Sequence, residues 1–250
     1  MEVIVFDNSE DIFPVCVQRL EATLARQPNT VVGLPTGNTF IPFYERLKLL
    51  NRELFKSMIS FNLDEYCGLA KQHPGSFYTY MKRHFFDNSG LTESQIYFPP
   101  TDVRVDPAEY DAWIDQKGGL DLLFLGLGQN GHIAFNEPGT PWSSKTHRVI
   151  LDDQTRRDNQ AAFDSLESVP KEAITMGLAT LMQAKEIHLV ATGEAKAQAV
   201  KRLVEEAPNK NLPASILKQH SCVTIYLDQS AATALEDPYG GQISRARSRP

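Results

Sequence analysis

The chain has 250 residues, of which 42% are hydrophobic and 22% charged, and its formal net charge is −6. This composition is typical of a globular protein with a sizeable core, and the acidic balance argues against broad, sequence-independent binding to nucleic acid. The three cysteines, Cys16, Cys67 and Cys222, form no CxxC pair and indicate neither a zinc site nor a disulfide framework.

Membrane and export signals are also missing from the sequence. The first residues lack the basic start and long apolar run of a signal peptide, and no stretch approaches eighteen consecutive apolar residues. We therefore expect a cytoplasmic protein with no membrane partner.

Predicted strands and helices alternate along the whole chain. Apolar and β-branched runs predict strands at residues 2–6, 30–39, 58–66, 119–128, 185–193 and 221–228. Helical spacing of apolar residues predicts helices at 9–28, 40–54, 76–87, 106–118, 169–184 and 194–206. This alternation predicts an α/β fold, a mostly parallel sheet with helices on both faces.

Four polar clusters follow four of the predicted strands. "PTGNT" closes the segment at 30–39, where the strand breaks at glycine, and "LDEY" ends the next strand. "GQNGHIAFNEP" follows the strand that includes "LDLLFL", and "TGEAK" follows "KEIHLVA". Because ligands of open α/β sheets bind beyond the carboxyl ends of the strands, the four clusters are expected at one edge of the sheet.

The "PTGNT" and "TGEAK" clusters have features of anion sites. Gly37 precedes a predicted helix, where free backbone N–H groups favour an anion, although the GK[ST] end of a Walker A loop is absent. Lys196 falls in the first turn of a helix, an unfavourable place for a cation unless an anion lies nearby. A shared phosphate is one interpretation; an ordinary strand-to-helix turn and a solvated lysine are the alternatives.

The other two clusters contain candidate acid–base residues. Asp64 and Glu65 point in opposite directions if the strand continues, so only one faces a site, and the sequence does not choose between them; a helix cap or a solvated pair is the alternative. His132 follows Gly128 and Gly131, and Glu137 is near enough to orient its ring.

Other readings of these segments carry less weight. The glycines match GxGxxG, but no regular amphipathic helix follows, as a dinucleotide site would require. The remaining histidines form no HExxH or HxH pattern, so no metal is expected. The polar run at 142–163 is either a flap over the site or a surface excursion.

Taken together, "GLPTGNT", "FNLDEYCGL", "HPGSFYTYM", "GLGQNGHIAFNEPGT" and "TGEAKAQAV" resemble the glucosamine-6-phosphate deaminase family. The resemblance covers residues 31–230 and implies a Rossmann-like fold. It further implies a single amino-sugar-phosphate deaminase domain at residues 1–238. The basic, glycine-led tail at 239–250 is predicted to be disordered.

The resemblance also implies roles for particular residues. It makes Asp64 the base of the isomerisation and His132 the acid and base of ring opening, supported by Glu137 and Asn130. The implied phosphate contacts are Thr36, Gly37, Asn38, Thr39 and Lys196. It implies conversion of glucosamine 6-phosphate to fructose 6-phosphate and ammonia, with a small-molecule substrate and neither metal nor organic cofactor.

This chain departs from the family pattern at three positions. Asn38 stands in place of the second glycine of "PTGGT" and retains the backbone N–H. Asn130 stands where many members carry aspartate, and an amide can bond an imidazole without stabilising its charged form. Ala161 replaces an arginine that resembles a phosphate contact, and Arg156 or Arg157 is a candidate to replace it.

Several alternatives stay open. The substrate could instead be galactosamine 6-phosphate. The chain could also be a 6-phosphogluconolactonase, although "AFNEP" argues against it, or a non-enzymatic sugar-phosphate-sensing module. A monomer and a small homo-oligomer are equally compatible with the sequence.

Overall fold

The computed structural model describes residues 1–236 and 243–245. Its strands are β1 (Glu2–Phe6), β2 (Val31–Leu34), β3 (Ile59–Asn62), β4 (Asp64–Tyr66), β5 (Ile96–Tyr97), β6 (Leu122–Gly126), β7 (His147–Ile150), β8 (Glu172–Thr175), β9 (Glu186–Ala191), β10 (Val223–Asp228) and β11 (Ile243–Arg245). Its α-helices are α1 (Ile12–Arg26), α2 (Ile41–Leu47), α3 (Phe77–Met81), α4 (Asp87–Ser89), α5 (Glu109–Gln116), α6 (Asp153–Asp158), α7 (Leu178–Leu181), α8 (Ala197–Glu205) and α9 (Gln229–Ala232).

The main sheet of the described residues is parallel throughout, with the strand order β11-β1-β10-β9-β6-β2-β3-β5. Helices α1 and α2 pack on one face, and α5, α7 and α8 on the other. The predicted α/β fold with a mostly parallel sheet and helices on both faces is therefore confirmed.

The core lies on both faces of this sheet because the central strands are apolar on both sides. In β6, Leu122 and Phe124 belong to the cluster that includes α1 and α2, whereas Leu123 and Leu125 belong to the cluster that includes α5 and α8. Such double burial explains why "LDLLFL" is a continuous apolar run and does not alternate.

A second sheet was not predicted from the sequence. Its three antiparallel strands have the order β4-β8-β7, and Asp64 pairs with Thr175. The helix predicted at 169–184 is therefore wrong in its first half, where β8 lies, and only α7 is helical. Pairing of Ala173 and Ile174 with two other strands overrides the local helical pattern, as tertiary contacts often do.

The C-terminal tail is described only in part. Of residues 239–250, which the sequence predicts to be disordered, Ile243–Arg245 form β11 beside β1, and the others lie outside the described residues. Within the described ranges, no helix combines the length and the apolar character needed to cross a membrane.

Candidate active site

The predicted polar clusters converge at the carboxyl ends of four adjacent strands, β9, β6, β2 and β3. A cavity of about 340 Å³ opens there. Seven of the predicted site residues line it: Thr36, Gly37, Asn38, Thr39, Asp64, His132 and Lys196. The remaining two, Asn130 and Glu137, lie behind His132 and are joined to it by hydrogen bonds.

On strand β4 the neighbouring carboxylates of Asp64 and Glu65 point in opposite directions. Asp64 is 6% exposed and lines the cavity, whereas Glu65 points the other way and accepts hydrogen bonds from backbone N–H groups. These come from Tyr66 (2.8 Å), Phe77 (3.0 Å) and Tyr78 (2.9 Å). Glu65 thus anchors the start of α3, and Asp64 is the carboxylate available for chemistry.

Burial makes Asp64 a weak acid. Desolvation, with a smaller contribution from the charge of Glu65, raises the pKa of the Asp64 carboxyl from 3.8 to about 8. Burial also raises the pKa of Glu65, but its three backbone N–H donors oppose that shift. A carboxyl with a pKa near neutrality is suited to taking up and returning a proton.

His132 belongs to a hydrogen-bonded chain of side chains. Its Nδ1 lies 2.8 Å from Asn130 Oδ1, and the Asn130 amide donates to Glu137 Oε2 over 2.8 Å. Glu137 Oε1 in turn accepts a 2.6 Å hydrogen bond from the Thr155 hydroxyl. The closest approach of Glu137 Oε2 to His132 Nδ1 is 3.8 Å, so Glu137 orients the ring chiefly through the amide.

The hydrogen bonds from Glu137 through Asn130 to His132 fix the tautomer of the histidine ring. An ionised carboxylate only accepts hydrogen bonds, so Glu137 must face the NH₂ of Asn130, which turns Oδ1 of that amide toward His132. Nδ1 then carries the proton, and Nε2 keeps its lone pair. Burial lowers the pKa of His132; Glu137 opposes this shift and Lys196 reinforces it.

Gly128 makes room for the imidazole. A Cβ built on Gly128 would lie 2.3 Å from both Nδ1 and Cε1 of His132. A side chain here would displace the ring, because real Cβ atoms do not approach other heavy atoms so closely. The second glycine of the GxGxxGH segment therefore makes room for His132 directly.

The "PTGNT" and "TGEAK" segments form two similar turns. Gly37 (φ 99°, ψ 163°) and Gly193 (φ 85°, ψ 153°) share a conformation that favours glycine, and each precedes a short 3₁₀ turn. The first backbone N–H groups of such a turn have no acceptor within it and can bind an anion. The Tyr80 hydroxyl donates to the Gly37 carbonyl over 2.8 Å and holds the first turn in place.

Lys196, the last residue of the second turn, supplies positive charge to the cavity. It is the one cationic side chain among the described residues that line the cavity. Burial lowers the pKa of its ammonium group, and the charge of Asp158 partly offsets this. A half-buried ammonium beside free N–H groups is suited to binding an oxyanion such as phosphate.

Neither candidate arginine replaces the one missing at Ala161. Arg156 is buried and donates to the carbonyls of Leu166 (2.7 Å) and Val169 (3.1 Å), and Arg157 bonds Gln154. Neither lines the cavity. Arg156 is instead a structural tie within the segment that follows β7.

The segment at 142–163 contributes residues that the sequence did not single out. It forms β7 and α6, and Asp158 and Asn159 at the end of α6 line the cavity. Thr155, also on α6, bonds Glu137. The C-terminal part of this segment therefore lies at the cavity, whereas whether it acts as a flap stays a prediction. The sequence did not single out these residues because α6, with six residues, is too short to show a clear helical periodicity.

Comparison with known proteins connects this site to a family. The model of the family described as glucosamine-6-phosphate isomerases/6-phosphogluconolactonase matches residues 9–226. The chain belongs to this family.

Individual relatives within the family cover nearly the whole chain. A glucosamine-6-phosphate deaminase of Bacillus pumilus is 42% identical over 239 residues, which cover 93% of this chain and 99% of that protein. A glucosamine-6-phosphate deaminase of Exiguobacterium sibiricum is 41% identical and covers 95% of this chain and 94% of its own.

Solved structures agree with the fold. A monomeric glucosamine-6-phosphate deaminase superposes with a TM-score of 0.90 at 37% identity and covers 94% of this chain and 100% of its own. A 6-phosphogluconolactonase from Trypanosoma cruzi reaches a TM-score of 0.74 at 19% identity, covering 94% and 96% of the two chains. At that identity the likeness is one of fold alone.

Proposed function

We propose that this chain is a glucosamine-6-phosphate deaminase, which converts glucosamine 6-phosphate and water into fructose 6-phosphate and ammonia. The observation that carries the proposal is the placement of Asp64, His132 and Lys196 around one cavity, a base, an acid–base group and an anion site in a single space. The relatives near 40% identity carry the same activity in their names, which supports this assignment.

The phosphate is assigned to the end of the cavity lined by Thr36, Gly37, Asn38, Thr39 and Lys196. The two glycine turns offer backbone donors there, and Lys196 adds a charge. With the phosphate at this end, the sugar ring extends toward His132 and Asp64. Fixing the unreactive end of the substrate in this way holds the reacting carbons near the acid–base groups.

Ring opening is assigned to His132. The Nε2 lone pair accepts the proton of the O1 hydroxyl, and the same nitrogen returns a proton to the ring oxygen as the C1–O5 bond breaks. Glu137 and Asn130 act as positioning residues, since they hold the imidazole with Nδ1 protonated. The lowered pKa of His132 keeps it neutral, and therefore able to accept a proton, at neutral pH.

Isomerisation is assigned to Asp64. The carboxylate removes the proton from C2 of the open chain, and the ammonium group of the substrate passes a proton to O1, which gives an enolamine. The enolamine then receives a proton at C1 from the same carboxyl group. This leaves an imine at C2, which water hydrolyses to the ketone, releasing ammonia. A raised pKa helps the second half of this shuttle, because the protonated carboxyl of Asp64 then persists long enough to return its proton.

The test is ammonia release from glucosamine 6-phosphate and from galactosamine 6-phosphate, measured side by side with the wild type, Asp64→Asn and Glu65→Gln. We expect release from glucosamine 6-phosphate, lost by a factor of roughly 10² to 10⁴ in Asp64→Asn. Glu65→Gln is the matched control, since Glu65 lies next in sequence but faces away from the cavity.

Each other result has a defined meaning. Release from galactosamine 6-phosphate alone would replace the proposed substrate by its epimer. Release from neither sugar would contradict deamination, and hydrolysis of 6-phosphogluconolactone would then identify a lactonase. Full activity of Asp64→Asn would overturn the assignment of Asp64 as the base.

A further inference from the structure

An acidic side chain faces the predicted phosphate end of the site. Asp158, the last residue of α6, is exposed, yet it lines both the 340 Å³ cavity and a neighbouring cavity of about 620 Å³. Gly37 and Asn38 line both cavities as well. Asp158 is therefore located where the two spaces meet, beside the turn assigned to phosphate.

Two glutamines fix the Asp158 carboxylate in this place. The amide of Gln154 donates to Oδ1 over 2.8 Å, and the amide of Gln129 donates to Oδ2 over 3.2 Å. Gln129 belongs to the glycine-rich segment before His132, so this contact joins α6 to the catalytic loop. Neutral amides hold the carboxylate without cancelling its charge.

Asp158 acts on Lys196 through space. Among the described residues, none forms an ion pair with Lys196 within 4 Å. The charge of Asp158 nevertheless raises the pKa of Lys196 against the effect of burial, and it raises that of His132 as well. Both side chains line the 340 Å³ cavity without forming an ion pair with each other, so both charges act on a ligand bound there.

We propose that Asp158 is a binding-site residue that weakens binding of the phosphate group. An oxyanion between the two glycine turns is attracted by Lys196 and by backbone N–H groups, and it is repelled by the Asp158 carboxylate. The arginine that the family resemblance places at residue 161 is absent, so nothing at that position offsets the repulsion. The inference rests on the proposed function for the identity of the ligand as a sugar phosphate.

The repulsion by Asp158 lowers the affinity of the site for both substrate and product. Fructose 6-phosphate carries the same phosphate as the substrate, so the carboxylate weakens both complexes and favours product release. Asp158 therefore lowers the affinity for the substrate and speeds release of the product. Its effect is expected in KM and in product inhibition.

The test measures binding of inorganic phosphate by titration calorimetry, together with KM for glucosamine 6-phosphate. Asp158→Asn retains an acceptor for Gln154 but removes the charge, and we expect both Kd and KM to fall roughly threefold, the effect of a partly screened charge. Asp158→Glu, which keeps the charge, is expected to bind phosphate as the wild type does.

Asp115→Asn is the matched control. Asp115 is an exposed residue in the last turn of α5, before β6 and so at the opposite edge of the sheet. Its substitution removes the same formal charge and is expected to leave phosphate binding unchanged. Equal tightening in Asp115→Asn and Asp158→Asn would reduce the effect to net charge and would overturn the proposal.

Further outcomes separate this inference from the proposed function. Unchanged or weaker phosphate binding in Asp158→Asn contradicts the inference. So does unchanged binding in Lys196→Gln, since phosphate would then bind elsewhere. If the wild type releases no ammonia but Asp158→Asn still tightens phosphate binding, the proposed function fails and the role of Asp158 stands.

Discussion

Asn130 accepts a hydrogen bond from the ring of His132 at 2.8 Å, and it does so as an amide, where the family resemblance leads us to expect a carboxylate. The negative charge nearest to the ring is therefore that of Glu137, 3.8 Å away and joined to it through the amide. The ring is held in one tautomer without a directly bonded counter-ion. His132 is consequently a weaker base here than it would be beside a carboxylate.

Asn130→Asp is expected to raise the pKa of His132. A carboxylate bonded to Nδ1 stabilises the imidazolium and so favours the protonated ring. The substitution also removes the N–H donor to Glu137 and places two carboxylates side by side, so part of the new charge is lost to protonation. The measurement is the titration of the His132 ring by NMR.

Asn29→Asp is the control for this prediction. Asn29 is exposed and precedes β2, at the opposite edge of the sheet from the site, so it adds the same charge far from His132. A His132 pKa that is unchanged in Asn130→Asp would show that the hydrogen bond to Oδ1 does not govern the ring.

The rate is expected to depend on pH through Asp64. Proton abstraction needs the carboxylate, and the pKa of about 8 leaves most of Asp64 protonated at neutral pH. We therefore expect kcat/KM to increase as the pH rises toward 8. In the complex, the ammonium group of the substrate stabilises the carboxylate, so the corresponding rise in kcat is expected at lower pH. A kcat/KM that stays flat through this range would argue against Asp64 as the base.

Asp64→Asn is expected to raise the thermal stability of the protein, and to do so more at higher pH. The pKa of Asp64 is 3.8 in the reference state and about 8 when folded, so between these values the folded protein keeps a proton that the unfolded chain releases. Its contribution to stability therefore falls as pH rises from about 4 to 8. Asp64→Asn removes this loss, and its Tm is expected to exceed that of the wild type by a margin that grows over this range.

Glu65→Gln is expected to lower the stability of the protein. The Glu65 carboxylate accepts three backbone hydrogen bonds at the start of α3, and the amide of glutamine would place its NH₂ group against one of these N–H donors. A loss of about 1–3 kcal/mol in the free energy of unfolding is expected. Thermal unfolding of the two variants across pH measures both effects, and a destabilised Asp64→Asn at pH 8 would contradict the account.

Gly128→Ala is expected to abolish activity by displacing His132. The added methyl group would lie 2.3 Å from the ring, which must move away from Asn130. Gly126→Ala is the control in the same loop, because its Cβ would meet only Phe40 at an ordinary 3.9 Å. Ammonia release and the NMR signal of His132 are the measurements; an active Gly128→Ala would mean that the ring tolerates displacement.

Much of the fold follows from local patterns. The strands at residues 2–6 and 223–228 and helix α1 fall within the segments predicted from apolar spacing, since each buries a regular face. The helix predicted at 169–184 fails because β8 is stabilised by strands distant in sequence. No window of local sequence contains those partners.

The sequence by itself determined that the polar segments after β2, β6 and β9 would meet, because parallel strands bring their carboxyl ends to one edge. Only the tertiary structure decided that Asp64 faces the cavity and Glu65 does not, since the pairing of β4 with β8 sets their directions. The same holds for Asp158, whose place in the cavity that Lys196 also lines depends on the contact of α6 with Gln129 of the glycine loop. Hydrophobic periodicity and sequence motifs are local properties. The direction of a side chain and the charges placed around a site depend instead on contacts between segments that are distant in sequence.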